Sequence, residues 1–263
     1  MLVPKGPKDN RTGFIYKQRN INFDMNINKI KLKRGYFNEE IAELIGIIYG
    51  DGNLCIDNNK GYRINITGNK ETDYNYLTEY VSGLFERNFN IKPKIWIYKN
   101  RKAIALNIFS KKLLEYFMNL GMKVGPKKNL IIPNIILKNK KYKARFLRGL
   151  LDTDFCLYFL KGYKYPKIAS IFSDLNFTKQ LKKLFSDFNI NTYLYNKKTR
   201  LNNKIYLQYG IDIYGKSNLG KITKDINFKN ENNITKLRLW EKYGYCNSHT
   251  NLNDRYVLLN NKL

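Results

Sequence analysis

Two short stretches of the chain carry an aspartate in the same setting. Leu44-Ile45-Gly46-Ile47-Ile48-Tyr49-Gly50-Asp51-Gly52 is an apolar run closing on Asp51, and Leu147-Arg148-Gly149-Leu150-Leu151-Asp152-Thr153-Asp154-Phe155 closes the same way on Asp154. Each reads as a helix with the aspartate in its last turn, the unfavourable end of the dipole, at a cost of a few tenths to about 1 kcal/mol. Gly46 and Gly50 are four apart and share a helix face; Gly149 and Thr153 hold the same places in the second stretch. Small residues on one face let two helix backbones approach closely, and that packing offsets the roughly 1 kcal/mol that a helical glycine costs relative to alanine. Helices paired in this way bring Asp51 and Asp154 to one end of a shared seam. The two charges repel unless a cation bridges them, and magnesium suits one or two carboxylates with water and phosphate oxygens completing its shell. Beside a phosphodiester, such a centre can polarise the phosphate, activate water and stabilise the leaving oxygen. Taken singly, either aspartate could instead cap a turn before a strand; the matched pair favours the chemical reading.

The elements around the two stretches repeat as well. Asn38 caps a helix whose first turn holds Glu39 and Glu40. Leu54 and Ile56, then Tyr62, Ile64 and Ile66, alternate with polar residues around DNNKG and predict a hairpin. Residues 71–88 predict an amphipathic helix with Tyr76, Leu77, Tyr80, Val81, Leu84 and Phe85 on one stripe. A second hairpin over 93–109 and a short helix capped by Ser110 complete the unit. The order recurs as a helix over 143–154, a hairpin over 156–172, a helix from Asp174 to Phe188, a hairpin over 191–214 and a short helix at 216–226. The two aspartates stand 103 residues apart, which matches a duplication with a period near 100 residues. The expected divisions are a basic arm at 1–37, a first repeat at 38–124, a basic linker at 125–142, a second repeat at 143–246 and a tail at 247–263.

Composition points to the partner. The 263 residues include 48 Lys and Arg against 21 Asp and Glu, a net charge of +27, on a chain that is 43% hydrophobic and 14% aromatic. That is a folded body carrying excess positive charge, and nucleic acid is the usual polyanion for it. The 36 asparagines, with abundant Lys, Ile and Tyr, also fit A/T-rich coding, which accounts for some lysine but not for the acid deficit. No apolar run is long enough to span a membrane and the N-terminus lacks the apolar core of a signal peptide, so a cytoplasmic, intracellular protein is expected, an organelle included. Cys55, Cys156 and Cys246 are odd in number and widely spaced, and His249 is the single histidine, which argues against zinc or a disulfide framework.

The two nonapeptides and the order of elements around them, over roughly residues 38–245, resemble the LAGLIDADG homing endonucleases in their single-chain, two-repeat form. The resemblance implies an α+β fold of two pseudo-symmetric αββαββ repeats, with paired motif helices at the centre and two antiparallel sheets forming a saddle along the DNA major groove. It implies divalent metal, Mg²⁺, at Asp51 and Asp154, with Gly50 and Thr153 beside them in the metal set, and cutting of both strands of a long, partly degenerate site across the minor groove. It also implies a lysine near the metals, at Lys127 or Lys128 and, in the second repeat, Lys229, and a polar residue closing the second strand, at Gly68 or Asn69 and at Ser173. Tyr49 stands where the motif has its first Asp, Asp152 keeps that acid as a structural group, and Phe155 replaces the final Gly. Residues 228–246 resemble the tail of archaeal intron-type members, with Thr235 as the cap of a last helix.

Strand alternation gives the expected DNA face: Asn53, Arg63, Asn65 and Thr67, then Lys94, Trp96, Tyr98 and Lys99, and in the second repeat Lys164, Lys167, Tyr193, Tyr195, Lys204, Tyr206 and Gln208. Arg can read guanine and Asn adenine in a major groove wide enough for a two-stranded ribbon. The function expected is a monomeric, site-specific double-strand DNA endonuclease. The alternatives on the same scaffold are an RNA-binding maturase acting on its host intron RNA and a DNA-binding regulator without catalysis.

Overall fold

Helix α1 (Glu39–Gly50) starts where Asn38 accepts a hydrogen bond from the Ile41 amide, and it ends at Asp51. In the computed structural model, which describes residues 36–57, 61–160, 162–202 and 204–261, this helix opens an αββαββα unit. Strands β1 (Gly52–Asp57) and β2 (Gly61–Asn69) follow as the expected hairpin. A helix then runs from Tyr74, π-wound over Tyr76–Val81 and continuing as α2 (Ser82–Phe89), so it starts three residues after the expected 71 and carries the whole apolar stripe. Strands β3 (Lys94–Ile97) and β4 (Ala103–Phe109) lead to α3 (Lys111–Asn119), capped by Ser110 as its sequence predicts.

The second unit has the same order. The short α4 (Asn134–Leu137) precedes α5 (Lys140–Leu151), so both α4 and the first turn of α5 fall in the stretch read as linker. Then come β5 (Cys156–Leu160), β6 (Tyr165–Phe172), α6 (Leu175–Ser186, capped by Asp174), β7 (Tyr193–Leu201), β8 (Lys204–Tyr214) and α7 (Lys216–Asp225). Helix α8 (Glu231–Tyr243) is capped by Asn230, not by Thr235. Thr235 is buried a turn inside, donating to the Glu231 carbonyl and accepting from the buried Arg255. Arg255 belongs to α9 (Leu252–Asn260), which the sequence left as a tail. The basic arm, apart from Tyr36 and Phe37, lies outside the described residues, as do Asn58, Asn59 and Lys60 of the first hairpin turn.

Each unit folds its strands into one antiparallel sheet, ordered β1-β2-β4-β3 and β5-β6-β8-β7. The inner faces pack Leu54, Ile64, Ile66, Leu106 and Ile108 in one unit, and Leu157, Ile168, Ile211 and Ile213 in the other, against the helices. Ile56 departs from its expected core position: at the end of β1 it is 45% exposed. Between the units lie α1 and α5, side by side. A Cβ added to Gly46 would fall on the Phe146 carbonyl oxygen, and one added to Gly149 would fall on the Glu43 carbonyl oxygen. Glycine is required at this crossing by backbone approach, as the spacing predicted. Glu43, fully buried on α1, receives hydrogen bonds from Tyr80 (2.6 Å) and Arg145 (3.0 Å) and lies 3.6 Å from Arg148. The two arginines project from α5, so an ion cluster crosses the helix seam.

Candidate metal centre and nucleic-acid interface

At the other end of that seam sit the two aspartates. Asp51 caps α1, and Asp154 follows two residues after α5 has closed at Asp152, its backbone amide bonding the Leu150 carbonyl. Gly50 faces Thr153 so closely that a Cβ there would meet the Thr153 hydroxyl, which itself donates back to the Gly149 carbonyl at 2.7 Å. Burial pushes the Asp51 carboxyl up to about 7, the negative charges of Asp154 and Asp73 push the same way, and Lys127 opposes them. Asp154 is raised by burial and is likewise opposed by Lys127. The carboxylates therefore converge, as their helix positions predict.

Among the lysines expected near the centre, Lys127 is the one whose charge acts on both aspartates. Its ammonium is half-buried and donates to the Gly50 carbonyl. Burial lowers its pKa while Asp154 and Asp51 raise it. Lys128 is exposed. Lys229 does not supply the second repeat with an equivalent: its side chain lies over the Tyr80 ring, 5.8 Å from the centroid, while its backbone amide donates to Asp152. That last contact explains Asp152, which is buried and ties α5 to the start of α8 through the Lys229 amide and the Asn233 side chain. Tyr49 performs the matching task in the first unit, donating to the Ile131 carbonyl at 2.9 Å.

The final motif position also diverges without strain. A Cβ on Gly52 would come within 2.7 Å of the Ile48 backbone, so glycine answers a close approach. Phe155 has no positive φ, is buried, and packs edge-on against Phe172 and Phe185.

The sequence did not point to one acid whose negative charge bears on Asp51. Asp73 accepts from the Asn69 amide (2.8 Å) and from Asn230 (3.0 Å), whose side chain also reaches the Asp152 carbonyl. It crowds Gly68, and Asn69 is spent on this turn, accepting from the Glu71 amide. Ser173 is exposed after β6. The signal for Asp73 lay in its place just before the π-wound helix.

Two half-buried carboxylates, both raised by burial and Asp51 further by the charge of Asp154, form a hard oxygen set that fits a divalent cation such as magnesium. Among the described residues no cluster of three or more His, Cys, Asp or Glu could hold a metal. Asp51 and Asp154 would be its side-chain ligands, beside Gly50 and Thr153, leaving further positions to water and phosphate. The three cysteines are free.

The outer sheet faces hold the other expected residues. Asn53, Asn65 and Lys94 stand in one transverse row and Thr67 and Trp96 in the next, with Arg63 also on that face. Tyr98 and Lys99 are exposed in the turn beyond β3. In the second sheet Lys167, Tyr193, Tyr195, Lys204, Tyr206 and Gln208 share the outer face by register, and Lys164 is exposed in the β5–β6 turn. Lys167 corrects its expectation as a cation open to DNA: its ammonium is 2.6 Å from the buried Asp212, between the rings of Tyr158 and Tyr214. Burial would lower its pKa, but hydrogen bonds to Asp212, Tyr158 and Tyr214 outweigh it and hold the charge in place.

Two αββαββα units joined along glycine-lined helices, with an aspartate at the end of each, define a single-chain, two-repeat LAGLIDADG fold. Residues 141–227 match the family described as a LAGLIDADG-like domain. The replication factor C small subunit of Methanocaldococcus jannaschii is 29% identical over 201 residues, which are 76% of this chain and 10% of that protein. The homing endonuclease I-DmoI of Desulfurococcus mucosus is 32% identical over 116 residues, 41% of this chain and 53% of that protein. The crystal structure of I-DmoI in complex with DNA and Ca aligns with a TM-score of 0.53 at 21% identity, covering 73% of this chain and 93% of that one; another holds DNA and Mn. The chain thus spans about half of one curated relative and a tenth of the other. Its likeness to the LAGLIDADG family lies in the fold and, over residues 141–227, in the sequence. No described helix is long and apolar enough to cross a membrane.

Proposed function

We propose that the protein is a site-specific DNA endonuclease that hydrolyses one phosphodiester in each strand of a long, partly degenerate duplex target, with Mg²⁺ as its metal. The observation that carries this reading is the convergence of two half-buried carboxylates at the end of the helix seam, under the field of one lysine. Binding alone has no use for two such acids, which repel phosphate. The basic outer faces, part of a net charge of +27, supply phosphate contacts that set register on the duplex.

When bound, the metal supplies Lewis-acid polarisation of the phosphate and a lowered pKa for attacking water. Asp51 and Asp154 would be the side chains that hold it. Lys127, anchored on the Gly50 carbonyl, adds positive charge where the pentacovalent phosphate gains negative charge. Ion pairing of Glu43 with Arg145 and Arg148 fixes the far end of the seam, so the spacing of the two aspartates is set by rigid helices.

The test is plasmid cleavage with a library of candidate insertion sites, in Mg²⁺ and in Ca²⁺, by wild type, Asp51→Asn and Asp154→Asn. Wild type should linearise its target in Mg²⁺, and each substitution should slow linearisation at least about a hundred-fold with DNA binding retained. Double-strand cutting by either variant at the wild-type rate sinks the assignment. Failure of wild type to cut, with faithful binding to an intron RNA, would favour the maturase.

A further inference from the structure

Across the first sheet, Asn65 of β2 stands opposite Asn107 of β4, and both point to the outer face that Ile64, Ile66, Leu106 and Ile108 leave. Asn65 donates through Nδ2 to Asn107 Oδ1 at 2.9 Å and accepts at Oδ1 from the Thr67 hydroxyl at 2.9 Å. A carboxamide has two N–H groups and two oxygen lone pairs. One of each is therefore held within the sheet, and one N–H with one lone pair remains side by side on a half-buried residue facing outward. That is the donor–acceptor pair complementary to the N7 and N6 groups of adenine in the major groove.

Asn107 gives this arrangement its purpose. It is only 1% exposed, and its Nδ2 has no partner. Leucine would fill the space without burying an unpaired donor. What asparagine adds is an acceptor under Asn65, while Thr67 adds a donor beside it. Together they hold the plane of the Asn65 amide so that its remaining donor and acceptor face outward. The second sheet has no such device. Ladder positions matching Asn65, Thr67 and Asn107 are held by Ala169, Ile171 and Asp212, and Asp212 is engaged by Lys167.

We infer that Asn65 reads an adenine in one half of the target, and that Asn107 and Thr67 are positioning residues that hold its amide in the reading orientation. The inference rests on the DNA-cleaving function proposed above.

Selection of bound duplexes from a randomised DNA library in Ca²⁺, using the full chain, tests it. Wild type should favour adenine at one position by roughly ten- to a hundred-fold. Asn65→Asp, which can only accept, should move that preference to cytosine, whose N4 donates. Thr67→Val and Asn107→Leu should flatten the preference to a few-fold, Thr67→Ser should keep it, and affinity for random duplex should stay within about three-fold throughout. Thr67 is exposed, so its variants carry the test if Asn107→Leu fails to fold by circular dichroism. An Asn65→Asp pool identical to wild type overturns the reading of adenine. Retention of full adenine preference by Thr67→Val, or by folded Asn107→Leu, overturns the positioning role. If wild type enriches no sequence at all, the DNA-cleaving function fails and takes this inference with it.

Discussion

The two repeats share a backbone plan and differ in nearly every side chain that finishes it. Helix α1 is tied down at its end by a tyrosine hydroxyl on the Ile131 carbonyl; α5 is tied down by a buried carboxylate receiving the Lys229 amide. Gly52 is demanded by the nearby Ile48 backbone, whereas Phe155 at the same place is a core residue. One lysine, Lys127, serves both aspartates, and the candidate in the second repeat turns to a tyrosine ring. What the pair of repeats preserves is the seam geometry that brings the acids together. What it gives up is identity of the two sheets.

The comparison breaks most visibly at the last motif position. Phe155→Ala should destabilise by about 3–5 kcal/mol, because it empties a site between Phe172 and Phe185. If thermal or urea unfolding instead shows a loss below about 1 kcal/mol, Phe155 is not the packing replacement for a glycine. A smaller contrast lies one turn earlier. Asp152→Ala leaves the Lys229 amide and Asn233 without their carboxylate and should cost about 1–3 kcal/mol, against about 1 kcal/mol for Tyr49→Phe, which removes one hydrogen bond. Equal losses in the two variants would mean that the ties are equivalent in strength as well as in place.

The smallest effect concerns pH in metal-free protein. Asp51 titrates near 7 in the fold against an ordinary value of 3.8, so the native state keeps a proton that the unfolded chain releases. Its contribution to stability therefore falls as pH rises from about 4 to 7 and is constant above that. Asp51→Asn should melt higher than wild type by a margin that grows between pH 4.5 and 7.5, and added Mg²⁺ should narrow it by stabilising wild type alone. A margin independent of pH would show that Asp51 is not held protonated by its surroundings.

Much of this molecule was legible because its signals are local. The Asn38 and Ser110 caps, the alternating strands and the four-residue spacing of small residues each act within a turn or a strand, and each stands where the pattern put it. The outer-face residues followed from period-two alternation alone. Thr235 was misread as a cap because Asn230, five residues earlier, satisfies the helix start and leaves the threonine for Arg255. Helix α9 escaped notice since its anchor is a buried arginine, not an apolar stripe.

The sequence by itself determined the duplication, the helix seam and the two acids at its end, since a 103-residue spacing and a small-residue face survive in one dimension. Tertiary structure alone decided which charges matter there. It chose Lys127 over Lys128 and Lys229, added Asp73, locked Asn65 with Asn107 from a strand 42 residues away, and took Lys167 out of reach by pairing it with Asp212. The physical reason is range: caps and periodicity are settled by neighbours in the chain, whereas a charge or an amide is defined by whatever the fold brings within hydrogen-bond reach once water is excluded.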